Sequence, residues 1–119
     1  MRDFMAITKA LGDESRVRVL LALREGELCL CQIVQVLSLS PSTVSKHVDA
    51  LRQAGLIDMR KEGRWHYYRL ADKRSPPVVL HALRWVMRSL ADEKTILSDA
   101  AKLCCVRKQD PAELTSCYS

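Results

Sequence analysis

The tetrapeptide Ser38-Leu39-Ser40-Pro41 constrains this chain more than any other part of it. Proline lacks an amide donor and its ring clashes with the preceding turn, so it cannot continue a helix. It does suit the first position of a new helix, with serine before it as cap. Before it, Cys29 to Leu37 carries Ile33, Val36 and Leu37 on one side. After it, Val44, Val48 and Leu51 recur at i, i+4 and i+7 until Gly55. Two short amphipathic helices joined by a tight turn follow, with Ser42, Thr43, Ser45, Lys46, His47 and Arg52 of the second turned outward.

The flanking segments fill in the order of elements. Residues 4–11 read as a short helix with Phe4, Ile7, Thr8 and Leu11 on one face. Asp13 caps a second, in which Val17, Leu20, Leu21 and Leu23 precede the Glu25-Gly26 break. Leu56 to Lys61 and Arg64 to Leu70 read as strands around Glu62-Gly63. Pro76-Pro77 opens a last long helix to about Ala91, and residues 92–103 extend it or add a short one. From Cys104 the chain is polar, contains Pro111 and shows no periodicity. The expected fold is mainly α with a small β-hairpin, a winged helix-turn-helix.

A chain of 119 residues, 48% of them hydrophobic, holds one modest core. A second copy is expected to cover what that core cannot, through Phe4, Ile7, Leu80, Leu83, Val86, Met87 and Leu90, which makes the expected assembly a homodimer. The DNA-binding and dimerisation domain is set at 1–92, and 93–119 is set apart as an extension carrying Cys104, Cys105 and Cys117. No stretch approaches the roughly 20 apolar residues of a membrane helix. The start, Met1-Arg2-Asp3-Phe4, lacks a signal-peptide apolar region, so a cytoplasmic protein without a membrane partner is expected.

Nineteen basic against fourteen acidic residues give a formal charge of +5, compatible with a polyanionic partner. Double-stranded operator DNA fits the outward face of the Pro41 helix. Its hydroxyl side chains permit close approach, while Lys46 and Arg52 reach phosphates. Lys61 and Arg64, beside the hairpin turn, are the matching contacts from a wing. Trp65, Tyr67 and Tyr68 are expected to pack the sheet rather than stack on bases.

Five cysteines is an odd number, and a reducing cytosol keeps thiols free, so ligands or buried apolar groups are expected rather than a disulfide framework. Cys29 and Cys31 stand at the start of the first of the two paired helices, where a soft metal ion bound to thiolates would act on the DNA-reading unit. Helix N-termini favour the thiolate. Residues i and i+2 of an α-helix do not face each other, so gripping one ion is expected to unwind the first turn. A thiol enzyme or metal carrier is the rival of another class. It would need a base beside a nucleophilic cysteine or a C-x-x-C pair, and neither can be pointed to, so no enzyme and no catalytic cofactor are expected.

Over roughly residues 4–90 the chain resembles the ArsR/SmtB family of metal-sensing repressors. The resemblance rests on Leu11-Gly12-Asp13-Glu14-Ser15-Arg16-Val17-Arg18, Glu27-Leu28-Cys29-Leu30-Cys31, Ser42-Thr43-Val44-Ser45-Lys46-His47 and Glu62-Gly63-Arg64-Trp65-His66-Tyr67-Tyr68-Arg69-Leu70. It implies a homodimer that leaves its operator when a thiophilic ion binds. The Glu-Leu-Cys-x-Cys run resembles the arsenic- and antimony-sensing subgroup, so As(III) or Sb(III) is the implied inducer, with Cys29 and Cys31 as its first two ligands. The subgroup's third cysteine falls at position 34, which is Val34 here, and Cys104, Cys105 or Cys117 is expected to replace it. The acidic and histidine zinc ligands of other members are not matched, since His81 stands alone. A redox-, cadmium- or zinc-responsive repressor using the same thiols is the closer alternative.

Overall fold

The structure, a computed structural model, describes residues 1–109. The described residues form six α-helices and three short strands. They are α1 (Arg2–Ala10), α2 (Glu14–Ala22), β1 (Leu28–Cys29), α3 (Leu30–Leu37), α4 (Pro41–Gln53), β2 (Ile57–Glu62), β3 (Trp65–Leu70), α5 (Pro77–Ser89) and α6 (Lys94–Val106).

Local chemistry explains the boundaries. Asp13 has extended backbone angles, and its Oδ1 accepts from the amides of Ser15 at 2.8 Å and Arg16 at 3.3 Å, starting α2. Ser40 Oγ accepts from the Thr43 amide at 3.3 Å, with Pro41 as the first helical residue of α4. Between α3 and α4 the turn is made by Ser38, which is left-handed at φ 56° and ψ 39°, while its amide donates to the Val34 carbonyl at 2.9 Å. At the wing tip Gly63 adopts φ 62°, which only glycine takes without strain.

The core is one cluster. Leu20 and Leu23 meet Leu28, Ile33, Val44, Val48, Leu51, Leu56 and Ile57, all at most 2% exposed. Tyr68 joins them from β3, and its burial pushes the phenol's pKa up.

Two features depart from the sequence-based expectation. The hairpin is part of a three-stranded antiparallel sheet ordered β1-β3-β2, because Leu28 and Cys29 pair with Tyr68 and Tyr67. The chain also remains helical through Cys104 and Cys105. Ile96, Leu103 and Val106 of α6 are buried in the common core, with α6 packed on α2 and α3. Its periodicity is interrupted by Asp99, which sits where an apolar residue would be expected and is 8% exposed. Arg18 of α2 neutralises it with two parallel hydrogen bonds, Nε to Oδ2 at 2.8 Å and Nη2 to Oδ1 at 2.9 Å. The Asp99 carboxylate holds the Arg18 guanidinium above its ordinary pKa.

Candidate nucleic-acid interface and thiol site

The α4 helix buries Val44, Val48 and Leu51 and leaves Ser42, Ser45, Lys46 and Arg52 exposed, as expected of a reading helix. Thr43 and His47 are half-buried rather than fully outward. Thr43 Oγ1 accepts from Ser40 Oγ at 2.8 Å, so its hydroxyl belongs to the cap. His47 lies toward α2, where its Nδ1 accepts from Arg16 Nε at 3.3 Å. Neither contact is legible in the motif, because each joins side chains whose geometry exists only once the helices are formed.

Lys61 and Arg64 are exposed at the wing, and the Arg64 guanidinium lies 5.2 Å from the Trp65 ring centroid. Arg60, which sequence reasoning passed over, is the structural arginine of the wing. It pairs with Glu27 at 2.8 and 2.7 Å and with Glu62 at 2.6 Å, and it stacks 4.4 Å from the centroid of Tyr67. Its hydrogen bonds hold the Glu27 carboxyl below the ordinary carboxylate range, and Glu27 and Glu62 in turn raise the pKa of Arg60.

Cys29 is both the last residue of β1 and the N-cap of α3, with extended angles of φ −79° and ψ 161°, and Cys31 is in the first turn. The sequence reading put both cysteines within the helix, where residues i and i+2 do not face each other, and the structure corrects this by placing Cys29 ahead of the first helical residue. Since Cys29 stands outside the helix, its side chain folds over the first turn and meets Cys31 while α3 stays intact. The Cα atoms are 5.4 Å apart and the sulfurs are joined as a disulfide, in place of the expected free thiols. Gln32 closes the cap, its Oε1 accepting from the Cys29 amide at 2.9 Å. Both cysteines are 1% exposed.

Cys104 and Cys105 are free and exposed on α6, and Cys117 lies outside the described residues. Val34 points into the core. Among the described residues no group of three or more His, Cys, Asp or Glu side chains is arranged to hold a metal ion.

The expected dimer residues divide. Ile7, Leu83 and Val86 are buried in the chain's own core and have little surface left for a partner, while Leu80, Met87 and Leu90 are half-buried. Phe4 at 54% exposure remains available, together with two residues the sequence reading passed over, Met5 at 53% and Trp85 at 66%. Trp85 edges a shallow apolar groove with Leu11, Val17, Val86 and Leu90.

A helix-turn-helix backed by a hairpin wing, with hydroxyl and basic side chains on the second helix, defines a winged-helix DNA-binding regulator. Residues 13–59 match the family model described as "Bacterial regulatory protein, arsR family". The chain is 46% identical over 74 residues to the arsenic resistance transcriptional regulator ArsR1 of Pseudomonas putida, covering 59% of this chain and 58% of that protein. It is 38% identical over 74 residues to an uncharacterized HTH-type transcriptional regulator, MJ1325, of Methanocaldococcus jannaschii, covering 61% of this chain and 83% of that one. It is 37% identical over 78 residues to a cadmium resistance transcriptional regulatory protein, a CadC homolog of Staphylococcus aureus, covering 65% and 64%. Among solved structures it resembles the homodimeric winged helix-turn-helix DNA-binding domain Mb0332 of Mycobacterium bovis, with 29% identity, TM-score 0.62 and coverage of 76% and 82%. The chain belongs to the arsR family of transcriptional regulators. No helix among the described residues is long and apolar enough to cross a membrane.

Proposed function

We propose that this regulator is a cytoplasmic, homodimeric repressor that holds operator DNA and releases it when trivalent arsenic or antimony binds the thiolates of Cys29 and Cys31. Cys104, Cys105 or Cys117, from the segment beyond residue 92, supplies the third sulfur. Residues 1–92 read DNA, through Ser42, Thr43, Ser45, Lys46, His47 and Arg52 of α4 and Lys61 and Arg64 of the wing. The observation that carries the proposal is the meeting of the two sulfurs at the junction of β1 and α3, where a thiol reductant, itself oxidised to its disulfide, would turn the joined pair into two adjacent thiolates.

That junction has leverage in two directions. Through α3 it supports the turn before α4. Through the Cys29–Tyr67 pairing and the Glu27–Arg60 ion pair it supports the wing. An ion that binds the released arrangement more tightly shifts the population toward it. A coupling of about 1–3 kcal/mol lowers DNA affinity roughly 5- to 150-fold.

The test is fluorescence anisotropy of the reduced protein on the DNA upstream of its own gene, with arsenite, antimonite, cadmium and zinc titrated in turn. Release by arsenite that disappears in Cys29→Ser is expected. Tight binding that ignores every ion would sink the sensor reading. The joined sulfurs favour one second reading, in which oxidation of the pair itself is the signal. Release by a thiol oxidant without an arsenite response would select it.

A further inference from the structure

The guanidinium of Arg16 joins three helices. From α2 it donates through Nη1 to the Lys9 carbonyl in the last turn of α1 at 3.3 Å, and through Nε to Nδ1 of His47 on α4 at 3.3 Å. A guanidinium only donates, so Nδ1 must offer a lone pair, and a neutral imidazole with a bare Nδ1 keeps its proton on Nε2. The His47 imidazole makes no other hydrogen bond among the described residues. Among the described residues no fully buried side-chain nitrogen or oxygen of a half-buried or buried residue lacks a partner, so the Nε2–H of half-buried His47 is open to solvent.

We propose that Arg16 is a positioning residue of the reading helix, fixing His47 as the Nε2–H tautomer and so making it a hydrogen-bond donor toward the duplex. The inference rests on the DNA-binding part of the reading above and not on the metal. The ligand chemistry is an acceptor, either a phosphate oxygen or N7, O6 or O4 on a base edge of the major groove. The opposite tautomer would present a lone pair and would suit the amino groups of cytosine and adenine instead. A residue of α2 thus decides which kind of group a side chain on α4 can read.

The imidazole nitrogens of the 15N-labelled full chain report the tautomer without any DNA. The wild type is expected to carry the His47 proton on Nε2, and Arg16→Met is expected to give a mixture. A proton on Nδ1 in the wild type, or an unchanged tautomer in Arg16→Met, overturns the proposal. Anisotropy then compares the upstream duplex with a scrambled duplex of equal length and composition. Loss of one hydrogen bond weakens binding about fivefold. If the acceptor is a base edge, Arg16→Met loses that factor on the upstream duplex alone; if it is a phosphate, the loss is equal on both. Arg16→Lys, which restores a donor, recovers part of either loss. Unchanged affinity on both duplexes overturns the donor role. A wild type that binds neither overturns the DNA-binding reading and the donor role with it, while the tautomer spectrum is read independently.

Discussion

Asp99 is the single charged residue buried among the described residues, and its environment states what α6 needs in order to dock. Removing it leaves the Arg18 guanidinium, 20% exposed, without its hydrogen-bonded partner and with only the weaker attraction of Glu14 as counter-charge. Asp99→Ala is expected to lower unfolding free energy by about 2 kcal/mol, less than full burial would give because Arg18 keeps contact with water. Replacing both partners, Arg18→Met with Asp99→Leu, should cost less than Asp99→Ala alone. Denaturant unfolding of the three chains checks the order, and an Asp99→Ala change below about 0.5 kcal/mol would mean that apolar contacts alone seat α6. Ser38 gives a second test on the same scale. A left-handed residue without glycine's freedom costs roughly 1–2 kcal/mol. Ser38→Val should therefore destabilise the turn further, whereas Ser38→Gly should relieve the backbone and lose only the contact from Lys102.

At the scale of elements, β1 is held to the wing by two residue pairings and the Glu27–Arg60 ion pair. Arg60 depresses the Glu27 pKa below its ordinary value near 4.5, so that interaction stabilises the fold above this pH and is lost as pH falls through the lowered value. The melting temperature of the wild type should fall on acidification below about pH 4.5 more steeply than that of Arg60→Gln, in which Glu27 has no partner to lose. Parallel curves would show that the pair contributes nothing. Helix starts were legible because caps are local. Asp13 and Ser40-Pro41 act on amides two or three residues away, and both appear where the sequence places them. The end of α6 was not legible, because Asp99 breaks the apolar period and its partner is 81 residues away in the chain. The candidate thiol pair was legible as a motif and illegible in shape. Cys29 and Cys31 stand out as a motif, but their meeting depends on Cys29 lying in a strand, and a two-residue strand carries no periodic signal.

On the scale of the whole molecule, α1 and α5 leave Phe4, Met5 and Trp85 in water, and a second copy is the proposed cover. Trp85 is the most exposed of the three. Trp85→Ala is expected to weaken self-association by about 2 kcal/mol, roughly thirtyfold, in sedimentation equilibrium. A Trp85→Ala chain that dimerises as the wild type does would move the interface elsewhere. The proposed phosphate contacts would make DNA binding salt-dependent, and neutralising a residue assigned to one, Lys46→Gln or Arg64→Gln, should then reduce the slope of log affinity against log salt by about 1 on any sequence. Cys29 ends the strand and caps the helix, like a pin through two hinged plates. In the proposed function, an ion gripping its sulfur would set the angle between those plates through the length of its bonds. Arsenic, antimony and cadmium, which differ in reach to sulfur, would then act as inducers of unequal maximum effect even at saturation, and the plateau of release would rank them by size as well as by affinity.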